Sequence, residues 1–131
     1  MKHSVMLTIT SLLSILLFTF HLTDDIVRGW EPGGLSNLFW GSLIMVAWLY
    51  GALVLAERRS GYIIMLLGSL LSLAVPVLHM KGRGVGVASG IANSSGGFFF
   101  IWTLIALGVI GLFSVILSAH GLWSLPWRRP R

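Results

Sequence analysis

Four long apolar runs, separated by short polar stretches, set the pattern of this chain. They cover about residues 4–23, 38–56, 62–80 and 98–119. A helix of about 20 residues rises roughly 30 Å, which is the thickness of a bilayer's hydrocarbon core. The pattern therefore predicts an all-α fold. Because the connections are short, we expect residues 1–131 to form a single domain, an integral membrane four-helix bundle with up-down-up-down topology.

The first run carries its polar residues along one side of the predicted helix. With a period of 3.6, this side holds Ser4, Thr8, Ser11, Ser14, Phe18, His21 and Asp25. Small hydroxyl side chains allow helices to approach one another closely inside a membrane, where hydrophobic association is weak. The pattern therefore predicts that His21 and Asp25 face the protein and not the lipid.

Composition and charge support a membrane location and indicate an orientation. Only 10% of the residues are charged, whereas a soluble domain has about 25%. Six of the nine cations fall at the ends of the runs that would share one side: Lys2, Arg58, Arg59, Arg128, Arg129 and Arg131. By the positive-inside rule we expect both termini in the cytoplasm of a bacterium, with the bundle in the inner membrane and anionic lipid on the arginine-rich side.

Several classes of function are disfavoured by the residues that the chain lacks. The chain has no cysteine, which excludes disulfides, thiolate metal sites and iron–sulfur clusters. No carboxylate lies in the middle of a run, as a proton-coupled exporter would require. The serines of the runs have no nearby base, so no catalytic set is indicated. Nucleic acid is not an expected partner, because no basic and aromatic surface lies outside the runs.

Two histidines and an aspartate form the candidate metal site. His21 and Asp25 are four residues apart on one predicted helical face, and His79 ends the third run at the same outer side. Two imidazoles and a carboxylate are ligands that suit zinc, copper or non-haem iron. Haem is the other cofactor considered, if the two imidazoles face each other across the bundle axis. Asp24 is a possible additional ligand.

A purely structural interpretation of the same residues competes with this site. His21 and Asp25 can pair with each other at the helix end, while His79 bonds to a loop carbonyl. Asp24 and Arg28 have the i, i+4 spacing of a helical ion pair. The acids can also form a lock between the two outer loops, with Lys81 and Arg83 as the cations.

Three functional hypotheses remain open from the sequence. The first is an accessory or oligomeric interaction subunit, in a homo-oligomer or a larger membrane complex, which associates through faces rich in glycine, serine and alanine. The second is a metal- or haem-binding redox module that uses His21, Asp25 and His79. The third is a binder or carrier of a lipophilic small molecule that enters between helices near Trp48 and Pro76.

Overall fold

Four α-helices are present in a computed structural model of the protein, which describes residues 2–29, 34–81 and 96–125. They are α1 (His3–Val27), α2 (Gly34–Leu53), α3 (Arg59–Lys81) and α4 (Gly97–Ser124). These described ranges contain no strand, which confirms the all-α prediction. Each helix is long and apolar enough to cross a membrane.

The helix ends differ from the ends of the apolar runs. Residues 34–37, expected in a loop, belong to α2, whereas residues 54–56, expected in the second span, follow its end. Gly34, which the sequence indicates as part of a turn, begins α2 and has a φ of +53°. At the other end, the amide of Leu55 bonds to the carbonyl of Tyr50 instead of continuing the helical pattern (3.2 Å). Hydropathy alone locates such ends only to within a turn.

Helices adjacent in sequence are packed antiparallel. Thr19 donates to the sulfur of Met45 (3.1 Å) and Thr8 donates to the carbonyl of Ala52 (3.3 Å), so α1 and α2 run in opposite directions. Between α2 and α3, Trp48 packs on Gly68 and Gly51 packs on Ile64, so these two helices are antiparallel as well. Since α4 packs against both α3 and α1, the four helices close into a ring in which α1 and α3 lie on a diagonal.

The interior is polar along part of its length. Ser11, Ser14, His21 and Asp25 are all buried, which confirms that this side of α1 faces the protein. Among the described hydroxyls, Ser69 of α3 donates to Ser114 of α4 (2.8 Å). Two apolar clusters flank these groups; their fully buried members include Leu7 and Met65 in one, and Phe100 and Leu107 in the other.

Large apolar side chains also cover the outside of the bundle. Exposed large apolar side chains are present on all four helices. A soluble protein rarely shows so much contiguous apolar surface, whereas lipid tails are a suitable environment for it. The outer surface therefore has the character expected of helices in a bilayer.

Candidate metal centre

The three candidate ligands lie together at one end of the bundle. His21 Nε2 lies 2.9 Å from His79 Nε2 and 3.5 Å from Asp25 Oδ2. His79 Nε2 lies 3.7 Å from the same Asp25 oxygen. Ligand atoms of all three residues fit within 4.8 Å of one another. The structure thus brings together, from two helices, the residues that the sequence suggested as one site.

The fold places these side chains through the directions of α1 and α3. His21 and Asp25 occupy successive turns near the end of α1, so both point to the same side of the helix. His79 lies near the end of α3, which continues through Pro76 as far as Lys81. Since both helices run antiparallel to α2, their carboxyl ends meet at the same end of the bundle.

Burial separates the site from its surroundings. His21 and Asp25 are only 3% and 4% exposed, and the side chain of His79 is 15% exposed. Phe100 of α4 covers both imidazoles, with ring centroids 5.1 Å from His21 and 5.2 Å from His79. A polar cluster surrounded in this way has a low local dielectric, so its charges interact more strongly than they would in water.

Asp24 does not belong to the cluster. Arg28 Nε donates to Asp24 Oδ1 at 2.8 Å, which confirms the predicted i, i+4 ion pair. The Arg28 guanidinium also packs against Gly96, where a side chain would collide with it. The Phe100 amide donates to the Gly96 carbonyl (3.0 Å). Arg28 therefore joins the end of α1 to the start of α4, next to the aromatic ring that covers the imidazoles.

The spacing of the three ligand atoms suits a small ion. A tetrahedral zinc ion with bonds of about 2.0–2.1 Å holds its ligand atoms about 3.3 Å apart. The observed separations of 2.9, 3.5 and 3.7 Å lie on both sides of that value. Shifts of about half an ångström, within the reach of side-chain rotation, would close the site around the ion. Three ligands of this type leave a fourth position for water or another ligand.

The arrangement does not suit haem bound between the two histidines. Axial imidazoles lie on opposite faces of the porphyrin, so their Nε2 atoms would be about 4 Å apart with the macrocycle between them. Here the two Nε2 atoms are within hydrogen-bond distance, and the ring planes are perpendicular. Phe100 packs against both rings as well.

The structure contains only part of the purely structural arrangement that the sequence suggested for these residues. His21 does lie beside Asp25, but its nearest polar partner is His79, with one imidazole as donor and the other as acceptor. The proposed lock between the acids and the second outer loop involves the Lys81 side chain and Arg83, which lie outside the described residues.

Sequence reasoning missed two features around the site and one at the far end. Phe100 gave no signal, since it belongs to an apolar run of three phenylalanines. The contact of Arg28 with Gly96 depends on tertiary structure. At the opposite end of the bundle, the ring centroids of His3 and His120 are 5.1 Å apart, although the two residues are 117 positions apart in the sequence.

Trp48 and Pro76, the expected entry region for a lipophilic molecule, line two different grooves. Trp48 is 1% exposed and packs in the core, and it also borders a groove of about 390 Å³ between α2 and α3. Pro76 borders a larger groove of about 690 Å³ between α3 and α4. The lining residues of the larger groove include Met80, which follows His79 in sequence.

Comparisons of the chain with protein-family models, with curated proteins and with solved structures find no match.

Proposed function

We propose that this chain is an integral membrane protein that binds one divalent transition-metal ion through His21, Asp25 and His79. The observation that carries this proposal is the convergence of two imidazole nitrogens and a carboxylate oxygen within 4.8 Å. Ionisable residues in membrane helices are costly and usually have a function. A buried carboxylate beside two imidazoles is a set of ligands that a cation stabilises.

Zinc, copper and non-haem iron are the ions that this ligand set favours. All three accept imidazole nitrogen, and a set of two histidines and one carboxylate with an open position is typical of non-haem iron as well as of catalytic zinc. Copper or iron would make the site a redox module. Zinc would make it a Lewis-acid or structural centre.

Metal analysis of the purified full-length chain tests the proposal. The protein is loaded with Zn²⁺ in a mild detergent, freed of excess ion, and analysed by mass spectrometry of the metal. We expect about one ion per chain, as for a site with three protein ligands, and loss of the ion in His79→Ala and Asp25→Asn. Asp24→Asn is the matched control, because Asp24 pairs with Arg28, and it should keep the ion. Equal metal content in His79→Ala and the unsubstituted chain would refute the site.

We further propose that both termini lie in the cytoplasm and that the metal centre faces the outer side of a bacterial inner membrane. The arginine-rich ends support this orientation, and anionic lipid is the partner on that side. Since the chain has no cysteine, single substitutions give a clean labelling test. Val27→Cys should react with a membrane-impermeant maleimide in intact cells, whereas Arg58→Cys should react only after lysis. The reverse result would overturn the orientation.

A second candidate function is association with another membrane protein or a second copy through α2. Of the described helices, α2 has the fewest buried positions: Trp48, Gly51 and Ala52. Met45 and Leu49 pack partly against the core, whereas exposed apolar side chains such as Phe39 and Val46 face outward and are available to another helix. Native mass spectrometry in a mild detergent tests this function. A dimer or a co-purifying protein that is lost in Val46→Trp supports it, whereas a strict monomer contradicts it.

A further inference from the structure

We propose that the metal centre and the groove between α3 and α4 form one site for a long-chain carboxylate. The hydrocarbon chain lies in the groove, and the carboxylate occupies the open position on the ion. This inference rests on the proposed metal site and names the class of molecule that the site accepts.

The groove has the size and lining of a hydrocarbon site. Its volume of about 690 Å³ falls within the range of about 300–1,000 Å³ found for small-molecule sites. Every lining residue is apolar, so the groove itself offers no partner for a polar head group. Gly108 faces Pro76 at this position: a Cβ atom on Gly108 would be 3.6 Å from Pro76 Cγ. These two small residues leave the space between the helices.

The position of the groove orients its occupant. Met80 and Ile101 line the end nearest the metal centre, and they directly follow His79 and Phe100 in sequence. Gly108 and Val109 line the other end, about two helical turns deeper, or roughly 11 Å. A molecule in the groove therefore has its chain directed towards the middle of the bundle and its head level with the ion. A lipid in the adjacent leaflet has the same orientation.

The charge of the occupied site favours an anionic head. Two neutral imidazoles and the Asp25 carboxylate around a divalent ion leave one net positive charge. Because His21 and Asp25 are buried, water compensates this charge poorly. A carboxylate in the fourth position neutralises the site and supplies the oxygen ligand that zinc accepts. A neutral alcohol of the same chain length lacks this contribution.

Other grooves of the bundle serve as internal controls. The groove beside Trp48 has about 390 Å³, and a third, between α1 and α4, has about 400 Å³. Ala47 lines the groove beside Trp48 and is exposed. Ala47→Leu therefore fills a groove of the same apolar character that has no contact with the metal ligands. Gly108→Leu fills the proposed site.

Cobalt spectroscopy on the full-length chain tests the proposal. The protein in a non-ionic detergent is loaded with Co²⁺, whose visible spectrum reports its ligands, and titrated separately with acetate, decanoate and decanol. We expect decanoate to shift the spectrum at a concentration at least about tenfold lower than acetate, because its methylenes are buried in the groove. Decanol should have no comparable effect.

Substitutions in the two grooves separate chain binding from partition into detergent. In Gly108→Leu the advantage of decanoate over acetate should disappear, while acetate still shifts the spectrum. Ile105→Trp fills the same groove from an exposed position and should have the same effect. Ala47→Leu should retain the advantage. Equal responses in Gly108→Leu, Ile105→Trp and Ala47→Leu would overturn the inference.

The titration also distinguishes failure of the inference from failure of the metal site. If Co²⁺ does not bind before any carboxylate is added, the proposed function itself is wrong. If Co²⁺ binds but acetate and decanoate act at equal concentrations, the metal site stands and the groove is not part of it. A larger shift with decanol or a decyl quinol than with decanoate would show that the head group is not a carboxylate.

Discussion

His21 Nε2 and His79 Nε2 lie 2.9 Å apart across the interior of the bundle, although 58 positions separate the two residues. One nitrogen must carry a proton and the other must be bare for this contact to be a hydrogen bond. Asp25 Oδ2 lies near both nitrogens, at 3.5 and 3.7 Å. In the proposed metal site, an ion would take the place of the shared proton, and His21 and His79 would each hold it through Nε2.

Zinc is expected to stabilise the folded bundle. The ion would join α1 to α3, which lie on a diagonal and pack mainly against the other two helices. At a free concentration 100 times the dissociation constant, the gain in the free energy of unfolding is about 2.7 kcal/mol. A thermal melt with Zn²⁺ should therefore show a higher Tm than a melt with a chelator. His120→Ala, at the opposite end, should keep this increase, and His79→Ala should lose it.

Metal affinity should fall at acidic pH. Protons compete with the ion for the imidazole nitrogens, so metal affinity depends on pH. We expect the affinity for Zn²⁺ to be weaker at pH 4 than at pH 7.5. Isothermal titration at the two pH values measures the change. An affinity independent of pH would indicate that the histidines are not ligands.

The contact between Arg28 and Gly96 should be sensitive to a single methyl group. Gly96→Ala forces the guanidinium away from its place beside Asp24. The side chains of Arg28 and Asp24 are 27% and 12% exposed, so solvent weakens the pair, and we expect a loss of about 1 kcal/mol. Denaturation in mixed micelles measures it. Gly108→Ala, where the new Cβ atom meets only ordinary contacts, is the control and should cost less.

The packing of Trp48 on Gly68 should tolerate no larger residue. A Cβ atom on Gly68 would overlap the indole ring, which is itself 1% exposed. Gly68→Val should therefore displace α2 from α3 and lower the free energy of unfolding by about 1–3 kcal/mol. The fluorescence maximum of the protein should shift to longer wavelength as Trp48 becomes exposed. An unchanged spectrum and stability would show that the helix contact is not tight at this point.

Local patterns predicted much of this fold, because the determining signals are local. Apolar runs determine which segments are helical, and the i, i+4 spacing predicts the pairing of Asp24 with Arg28 and the shared face of His21 and Asp25. The approach of His79 to His21 and Asp25 follows because α1 and α3 both run antiparallel to α2, so that their carboxyl ends lie at the same end of the bundle. Phe100 could not be predicted as part of the site, because its role depends on the rotation of α4 about its own axis. Hydropathy does not indicate which of three adjacent phenylalanines faces the interior.

The division of ligands between the helices has a consequence for biogenesis. Two donors reside on the first helix and the third on the last turns of the third helix, so a nascent chain that has inserted only a helical hairpin holds an incomplete chelate. At the proposed site, an ion would be held with full affinity only after the third helix has crossed the bilayer in the opposite direction from the second. Metal occupancy would thus report that membrane insertion has reached the correct topology.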